Sequence, residues 1–516
     1  MRILAREDEL EDEEQPAPEP SQAMAPLGWR WMSVVAAVAA VPRLLYLFTI
    51  SDPENPGLGV YDDVWHHWQI AYLTKEIGLF APGGPRLWDL KGLDYFWGIL
   101  HPLVMVTVFA LTGSIDIVLL RLVSIAFGVL AVVLLFDICR RLWNVQVAVA
   151  AALFACLLPT SVMNDASGML EPMGVALCLL GIWAWTRGSG GWSGIAFGLA
   201  AMARAEAWLF SLGLVIAAGR KRAGLWFGFG ATIALYALVL WVKTGNPIYP
   251  LWWNFFANAL GQWGTPITSD QQSVRPVLGV LLVAALIGLG WALRTRPTGY
   301  MLLTFGFGYW VFTAGMLGFT SFLSTWRWWM PISRRFEFPY EFAGVLLAIV
   351  LLYLFRPRRA ALAWAAIVGA LVATQLLWLP AGAAFGPTEA AWQQSLAESG
   401  QLSAWYNSAP YRGHAMAVPA DRPDITYGLA RFGGVEGKHL VSEMYDPFGY
   451  PGASDTKVQC WLSANDVHLV AVSESDSNLM QVVRSHPDWF VEVGTLPRAG
   501  WKVEGVRVPQ CPNIVS

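Results

Sequence analysis

Long apolar segments follow one another along most of this chain, separated by short polar ones. A helix needs about 20 apolar residues to cross a bilayer, and about eleven segments are candidates for such helices. They are residues 29–50, 117–137, 145–163, 169–185, 192–203, 207–218, 223–241, 276–292, 300–319, 342–354 and 360–379. The pattern predicts an all-α polytopic membrane protein with about 11 transmembrane helices.

The basic residues between the apolar segments set the expected orientation, because short loops rich in Lys and Arg stay in the cytoplasm. These basic groups are Arg140 with Arg141, Arg187, residues 220–222, Arg294 with Arg296, and Arg356 with Arg358 and Arg359. They all fall on one side if residues 98–112 form an interfacial or re-entrant helix, and if residues 192–218 cross twice with a break near Arg204 and Glu206. The expected topology then has the N-terminus inside and the C-terminus outside.

Polar segments lie on both sides of this bundle. Residues 1–28 are acidic and rich in proline, which predicts a disordered cytoplasmic tail. Residues 29–380 form the predicted transmembrane domain, whose first external loop spans 51–116 and contains the re-entrant helix. Residues 381–516 are amphiphilic and predict a small external α/β domain.

Local patterns in the C-terminal domain indicate individual elements. Residues 389–398 are predicted to form a helix, and residues 468–472 and 489–493 read as strands. Residues 501–508 follow a turn and are expected to form a hairpin with the strand before them. Together these elements predict a mixed helix-and-sheet domain.

The composition supports a membrane protein and excludes one class of function. Of the 516 residues, 55% are hydrophobic and 14% are charged, and the mean hydropathy is +0.45, whereas soluble domains average about 25% charged residues. The net charge is −3 and no basic domain is present, so nucleic-acid binding is excluded. Of the five cysteines, only Cys460 and Cys511 lie in polar surroundings, and only they are candidates for a disulfide.

The most unusual polar segment, residues 60–78, follows the first apolar run and contains the adjacent acids Asp62 and Asp63. Most acid pairs in loops are simply solvated. Here the aromatic residues recur at helical spacing: Tyr61, Trp65, Trp68 and Tyr72. They predict an aromatic face, suited to a sugar ring or to an interface, beside the two acids. We therefore expect Asp62 and Asp63 to have a functional role.

The adjacent histidines His66 and His67 lie in the same segment. Imidazole groups serve as metal ligands or as general acids and bases, but histidines at an interface often only cap hydrogen bonds. Both interpretations stay open from the sequence.

A second acid, Glu171, lies in a short loop between two apolar segments, residues 164–172. A carboxylate there also suits the first turn of the next helix, because the helix dipole favours negative charge at that end. Two acidic loops on the same face of a bundle can nevertheless converge on one cation or one hydroxyl group. Asp63 and Glu171 are therefore a candidate metal-binding pair.

Several of these segments resemble known enzymes. Residues 63–78 resemble the first external loop of the oligosaccharyltransferase catalytic subunit, and Ser167-Gly-Met-Leu-Glu171 resembles its acidic second-loop motif. Residues 121–159 and 335–339 are similar to protein O-mannosyltransferases of glycosyltransferase family 39. These proteins belong to the GT-C superfamily of membrane glycosyltransferases, and the resemblance covers roughly residues 29–354.

The resemblance implies a GT-C bundle and a role for each acid. It matches Asp63, with Asp62 as a rival, to the catalytic acid/base or metal ligand, and Glu171 to the second acid. The sequence lacks the Trp-Trp-Asp motif with which oligosaccharyltransferases recognise an asparagine acceptor. Asparagine glycosylation therefore does not follow, and the acceptor stays open between protein, lipid and glycan.

Arginines in the expected external loops are unusual because cations normally collect inside. Long cationic side chains at span ends often extend only to lipid headgroups, but Arg also binds phosphate with two hydrogen bonds. Arg335, with Arg334, is the candidate for binding the phosphate of the donor, and Arg204 is a possible second member.

The sequence thus predicts a glycosyltransferase that moves a hexosyl group from a polyprenyl-phosphate donor to an acceptor at the outer or lumenal face. Mn²⁺ or Mg²⁺ are the candidate cofactors, and membrane lipids are the expected surroundings, in a prokaryotic cell membrane. A polytopic transporter and a non-catalytic membrane subunit are the alternatives. Related halves with broken helices would favour the transporter.

Overall fold

The computed structural model describes residues 28–56, 63–78, 97–217, 223–252, 300–319, 337–354, 360–385, 389–408, 410–419, 422–442, 454–473, 478–507 and 511. Before the C-terminal domain the described chain is helical. The helices are α1 (Trp29–Leu45, continued by a π-helical turn, Tyr46–Ile50), α2 (Asp63–Ile77), α3 (Leu100–Thr112), α4 (Ile117–Leu142), α5 (Val145–Leu157), α6 (Pro159–Ser167), α7 (Glu171–Thr186), α8 (Gly190–Ala203), α9 (Ala205–Ala217), α10 (Ala223–Thr244), α11 (Tyr300–Phe319), α12 (Glu337–Ile349, continued by a π-helical turn, Val350–Leu354) and α13 (Ala360–Phe385). A single helical turn, Tyr249–Leu251, follows α10.

Each predicted apolar segment within the described residues forms helix, and residues 276–292 lie outside them. Large apolar side chains on these helices face outward, including Ile50 (75% exposed), Phe227 (79%) and Val242 (71%). Such surfaces are stable only in contact with lipid. The chain is an integral membrane protein.

The number of full-length spans differs from the prediction. Among the described residues, four helices are long and apolar enough to cross a membrane, and a fifth candidate is the bent pair α5–α6. The four are Trp29–Ile50, Ile117–Leu142, Ala223–Thr244 and Glu337–Leu354. The other apolar helices have 10–17 residues, and at about 1.5 Å per residue they fall short of a hydrocarbon core about 30 Å thick. The predicted count of about 11 crossings includes residues 192–203 and 207–218 as short crossings, and residues 276–292, which lie outside the described residues.

The predicted span at residues 145–163 is bent. α5 and α6 meet at Leu158 with a bend of 57°. Pro159 has no N–H to continue the helical ladder, and the residue before a proline is forced out of the helical region; Leu158 accordingly has φ −60° and ψ 125°.

The predicted break near Arg204 is confirmed. α8 ends at Ala203, Arg204 is extended (φ −149°, ψ 145°), and α9 begins at the next residue. The segment before α3 crosses directly over this break: a Cβ on Gly98 would lie 2.5 Å from the Met202 carbonyl oxygen. Gly98 also has φ +147°, which side chains rarely permit, so only glycine allows this close approach.

The C-terminal domain contains α14 (Glu389–Ser408), β1 (Ala415–Val418), α15 (Pro423–Arg431), β2 (Leu440–Ser442), α16 (Asp455–Ala464), β3 (Val467–Ser473), α17 (Asn478–Ser485), β4 (Phe490–Leu496) and β5 (Trp501–Val506). The strand order is β2-β1-β3-β5-β4. β1 pairs in parallel with β2 and β3, whereas β5 pairs antiparallel with β3 and β4. The predicted helix, strands and hairpin are confirmed, and so is the Cys460–Cys511 disulfide.

The domain packs on α2 through aromatic side chains. Trp65 stacks on Trp392 of α14 with ring centroids 5.1 Å apart, and Tyr427 of α15 lies 5.2 Å from Trp65 and 4.8 Å from Trp68. Both tryptophans have no exposed surface. The predicted aromatic face is therefore an interdomain interface, and its tryptophans are not accessible to a sugar.

An ion-pair network adds to this interface. Arg431, at the end of α15, lies 3.3 Å from Glu54 and 3.3 Å from Asp116. Glu54 follows α1 and Asp116 precedes α4, near the two ends of residues 51–116, the predicted first external loop. The C-terminal domain thus contacts α2 and both ends of that loop.

Candidate active site

The first predicted acid lies at the start of α2. Asp63 is the first residue of the helix and is half-buried, whereas Asp62 lies outside the described residues. His67, one turn further on the same face of α2, is buried and packs edge-on against Trp97 with ring centroids 4.7 Å apart. His66 is half-buried, 6.3 Å from the same tryptophan.

The second predicted acid starts α7. Glu171 is 2% exposed, and its Oε1 lies 2.6 Å from Nη1 of Arg204 at the break between α8 and α9. Arg204 also pairs with Glu206 in the first turn of α9. The structure therefore joins two predicted site residues, Glu171 and Arg204. It does so because the helix break turns the arginine towards the start of α7.

His101 connects this pair to α2. It lies in the first turn of α3, is 1% exposed, and interacts electrostatically with Glu171. Its ring centroid is 5.6 Å from that of His67. Neither ring nitrogen of His101 has a hydrogen-bond partner among the described residues. A buried polar group without a partner costs about 1–3 kcal/mol, and such groups are concentrated at functional sites.

A second buried cluster lies between α1, α6 and α12. Arg43 Nε donates to Asp165 Oδ2 at 2.6 Å, and both side chains are almost fully buried. Ser161 donates to Glu341 at 2.7 Å. The carboxyl group of Asp165 also forms a hydrogen bond with that of Glu337. Two carboxyl groups in contact share a proton.

The local sequence makes room for this cluster. A Cβ on Gly128 of α4 would lie 2.1 Å from Asp165 Oδ2, so only glycine lets the carboxylate lie against that helix. Arg43 also donates to the carbonyl oxygens of Ala39 and Ala155. With all these contacts, the guanidinium group connects α1 to α5 and α6.

This second cluster interacts electrostatically with the first one, which consists of Glu171, Arg204, Glu206 and His101. Glu337 interacts with Glu171 as well as with Asp165, and Tyr309 of α11 interacts with both Arg204 and Glu337. Carboxyl groups outnumber guanidinium groups in each cluster. The bundle interior thus contains a connected acidic site, suited to binding hydroxyl groups or protons.

Sequence reasoning missed several members of this site. Arg43 lies inside the first apolar segment, where ionisable residues are expensive and therefore informative, and that signal could have identified it. Asp165, Glu337 and Glu341 lie at or near the ends of apolar segments, where a carboxyl group also suits a loop or the first turn of a helix. His101 was read only as part of an interfacial helix, because nothing local shows that its ring is buried.

The predicted metal pair of Asp63 and Glu171 stays a prediction. Glu171 is paired with Arg204. Among the described residues, no group of three His, Cys, Asp or Glu side chains could hold a metal ion. Mn²⁺ or Mg²⁺ therefore stays a prediction.

The predicted phosphate ligands are only partly described. Arg334 and Arg335 lie outside the described residues. Arg204 is engaged by Glu171 and Glu206, so phosphate binding by Arg204 would require one of these carboxylates to change partners.

Comparisons with known proteins identify the fold. No protein-family model and no curated protein matches the sequence. Among solved structures, the Archaeoglobus fulgidus oligosaccharyltransferase in the apo form is 13% identical with a TM-score of 0.51, over 86% of this chain and 69% of that chain. AglB from the same organism, in complex with an inhibitory peptide and a dolichol-phosphate, is 14% identical with a TM-score of 0.48, over 86% and 69%. ArnT from Cupriavidus metallidurans, bound to undecaprenyl phosphate, is 14% identical with a TM-score of 0.47, over 93% and 98%.

At such low identity these similarities concern the fold alone, and the apo oligosaccharyltransferase is the comparison that supports it. The helical chain and the small C-terminal sheet agree with the expected fold class. This integral membrane protein has the GT-C fold of membrane glycosyltransferases.

Proposed function

We propose that this protein transfers a sugar from a polyprenyl-phosphate donor to an acceptor at the outer or lumenal face of the membrane. The observation that supports it most directly is the buried Glu171–Arg204 pair at a helix break, next to the first external loop, in a GT-C fold. The proposal includes the predicted orientation, with the N-terminus inside and the C-terminal domain outside.

The proton acceptor in this mechanism is Asp63 or its neighbour Asp62. The carboxylate takes the proton of the acceptor hydroxyl while that oxygen forms a bond to the anomeric carbon of the sugar. The bond from the anomeric carbon to the phosphate oxygen breaks, and the polyprenyl phosphate leaves with its electron pair. Asp63 lies on the same face of α2 as His67, which contacts His101 beside Glu171. That series of contacts supports a position of the base near the acidic site.

Glu171 orients the reacting hydroxyl groups, and Arg204 holds Glu171. An ion pair between two buried side chains is rigid because breaking it leaves an uncompensated charge, at a cost of about 3–5 kcal/mol. His101 offers one ring nitrogen as acceptor and the other as donor, a combination that matches a sugar hydroxyl.

Arg335 and Arg334 are proposed to hold the leaving phosphate. Arg335 precedes Glu337 by two residues, and a chain of that length spans at most about 7 Å. Glu337 belongs to the buried acidic site, so the sequence itself ties Arg335 to it. Guanidinium groups stabilise the charge that develops on the departing phosphate.

The test is sugar transfer by the purified, detergent-solubilised protein from a radiolabelled short-chain polyprenyl-phosphate sugar. Peptide, lipid and glycan acceptors are offered in parallel. Asp62→Asn, Asp63→Asn and Glu171→Gln keep the shape of each side chain and remove its charge, and Arg30→Gln, at the far end of α1, is the matched control. We expect transfer by wild type and the control, and a loss of at least about a hundredfold in Glu171→Gln and in one of the Asp variants.

The same assay in EDTA tests the predicted metal, since metal-dependent transfer would fall and recover on adding Mn²⁺ or Mg²⁺. Two results would contradict the proposal: no transfer by wild type with any donor and acceptor pair, or full transfer by all three variants. Solute flux into proteoliposomes in the absence of transfer would instead support the transporter alternative.

A further inference from the structure

A cluster of basic residues lies at the ends of two apolar helices, away from the acidic site. Asp137 of α4 is fully buried and accepts hydrogen bonds from four side chains. Its donors are Arg140 Nη2 at 2.9 Å, Arg141 Nε at 2.9 Å, Arg187 Nη2 at 3.3 Å and Trp183 Nε1 at 2.9 Å. Arg140 and Arg141 are in the last turn of α4, and Arg187 caps the C-terminus of α7.

The cluster has an excess of positive charge. Three guanidinium groups face the single carboxylate of Asp137, which leaves a formal charge of about +2. The C-termini of α4 and α7 each contribute roughly −0.5 from the helix dipole. A net positive charge of about +1 remains at the surface, so the cluster is not neutralised by its own surroundings.

Two of the three arginines, Arg141 and Arg187, have guanidinium nitrogens that make no hydrogen bond to the described part of the chain. Arg141 contacts Asp137 through Nε and Arg187 through Nη2, and both bonds go to the same oxygen, Oδ2. The two side chains are 20% and 30% exposed, whereas Arg140 is only 6% exposed. The remaining nitrogens of Arg141 and Arg187 are therefore close enough together for one phosphate group to accept from both.

The surroundings match a membrane interface. α4 is one of the helices long enough to cross a membrane, and the Arg187 guanidinium lies 3.9 Å from the ring centroid of Trp183. Trp192, at the start of α8, is 71% exposed, and tryptophan is enriched at the headgroup level of bilayers. The space beside Gly188 is open, because a Cβ there would meet no atom within 4 Å.

We propose that Arg141 and Arg187 form a binding site for the phosphodiester of an anionic phospholipid, a site separate from sugar transfer. Asp137 fixes the two guanidinium groups in position, and the headgroup phosphate accepts hydrogen bonds from both. Basic pockets between helices at a membrane surface bind anionic headgroups in this manner.

The test is a thermal-shift titration of the full-length protein in detergent with phosphatidylglycerol, with phosphatidylcholine as the neutral lipid. Arg141→Gln with Arg187→Gln removes the proposed ligands. Arg30→Gln removes one exposed arginine from α1 and is the matched control. We expect wild type and Arg30→Gln to bind phosphatidylglycerol at least about tenfold more tightly than phosphatidylcholine, and the double variant to lose this preference.

A preference for phosphatidylglycerol that persists in the double variant overturns the proposal. So does an equal stabilisation by inorganic phosphate at the same concentration, because the site would then take a free anion. If the double variant does not purify as a single species, Arg141→Lys with Arg187→Lys replaces it. Lys keeps the charge but not the forked donors, so an unchanged preference in that variant also overturns the proposal.

Discussion

Glu171 and Arg204 form a buried ion pair, with Oε1 and Nη1 2.6 Å apart, that joins the first residue of one helix to the break between two others. Arg204 needs the break, because only an extended residue there lets it reach both Glu171 and Glu206. The position of Glu171, a predicted catalytic acid, is therefore fixed by the break between α8 and α9.

The two members of this pair should respond differently to substitution. Arg204→Ala leaves the buried Glu171 and Glu206 carboxylates without their cation, so we expect a loss of about 3–5 kcal/mol in the free energy of unfolding. Glu171→Gln keeps Arg204 paired with Glu206 and should cost much less stability, while transfer falls at least about a hundredfold. Denaturant unfolding and the transfer assay measure the two effects. Equal destabilisation by both variants would contradict the positioning role of Arg204.

Gly128→Ala should separate Asp165 from Arg43. The new Cβ would lie 2.1 Å from Asp165 Oδ2, so the carboxylate must move away and the buried ion pair is lost. We expect a marked drop in melting temperature and loss of transfer. Gly230→Ala on α10 is the matched control, because its Cβ would meet nothing within 4 Å and Ala is the better helix former by about 1 kcal/mol. A normal melting temperature for Gly128→Ala would show that the cluster tolerates displacement of Asp165.

His101→Leu should reduce function without reducing stability. Neither ring nitrogen of His101 has a partner among the described residues, so an apolar residue of similar size removes the cost of burying them. The melting temperature should stay the same or rise, while transfer falls about tenfold or more. His101→Asn, which keeps a donor and an acceptor, should recover part of the activity. A fall in melting temperature with unchanged transfer would assign His101 a structural role instead.

Trp65→Ala should loosen the C-terminal domain. The side chain is fully buried against Trp392 and Tyr427, and removing a buried tryptophan costs about 3–5 kcal/mol. Limited proteolysis should then cleave between the domains, whereas Trp65→Phe should retain most of the contact. Trp192→Ala, at an exposed tryptophan, is the control. Equal protease resistance of Trp65→Ala and wild type would contradict the docking role.

Glu54, which pairs with Arg431 across the interdomain interface, should make the stability of the protein depend on pH. Burial, and then the charge of Asp116, raise the pKa of Glu54 above its ordinary 4.5, partly opposed by Arg431. A carboxyl group whose pKa is raised by folding contributes stability below its ordinary pKa and loses that contribution as the pH rises through the folded value. Wild-type melting temperature should therefore fall slightly between pH 4 and pH 7 relative to Glu54→Gln. Parallel curves for the two proteins would show that Glu54 titrates normally.

Local sequence patterns were sufficient for the elements. The apolar segments, the break at Arg204, the hairpin ending at Val506 and the pairing of Cys460 with Cys511 all follow from residue type and spacing. These features depend on interactions between neighbours along the chain, or on the small number of cysteines available. The acids Asp63 and Glu171 were likewise visible because such residues are rare in an apolar chain.

Only the tertiary structure decided which of these residues meet. The pairing of Arg43 with Asp165, the position of His101 beside Glu171, and the burial of Trp65 under the C-terminal domain join residues that are far apart in sequence. Hydrophobic periodicity indicates that one face of a helix is buried, but it does not indicate which element packs against that face. The reason is that the hydrophobic effect has no preferred direction or partner. Ion pairs depend on the approach of two helices, and that approach is set here by small residues such as Gly98 and Gly128, whose role is visible only when the opposite helix is in place.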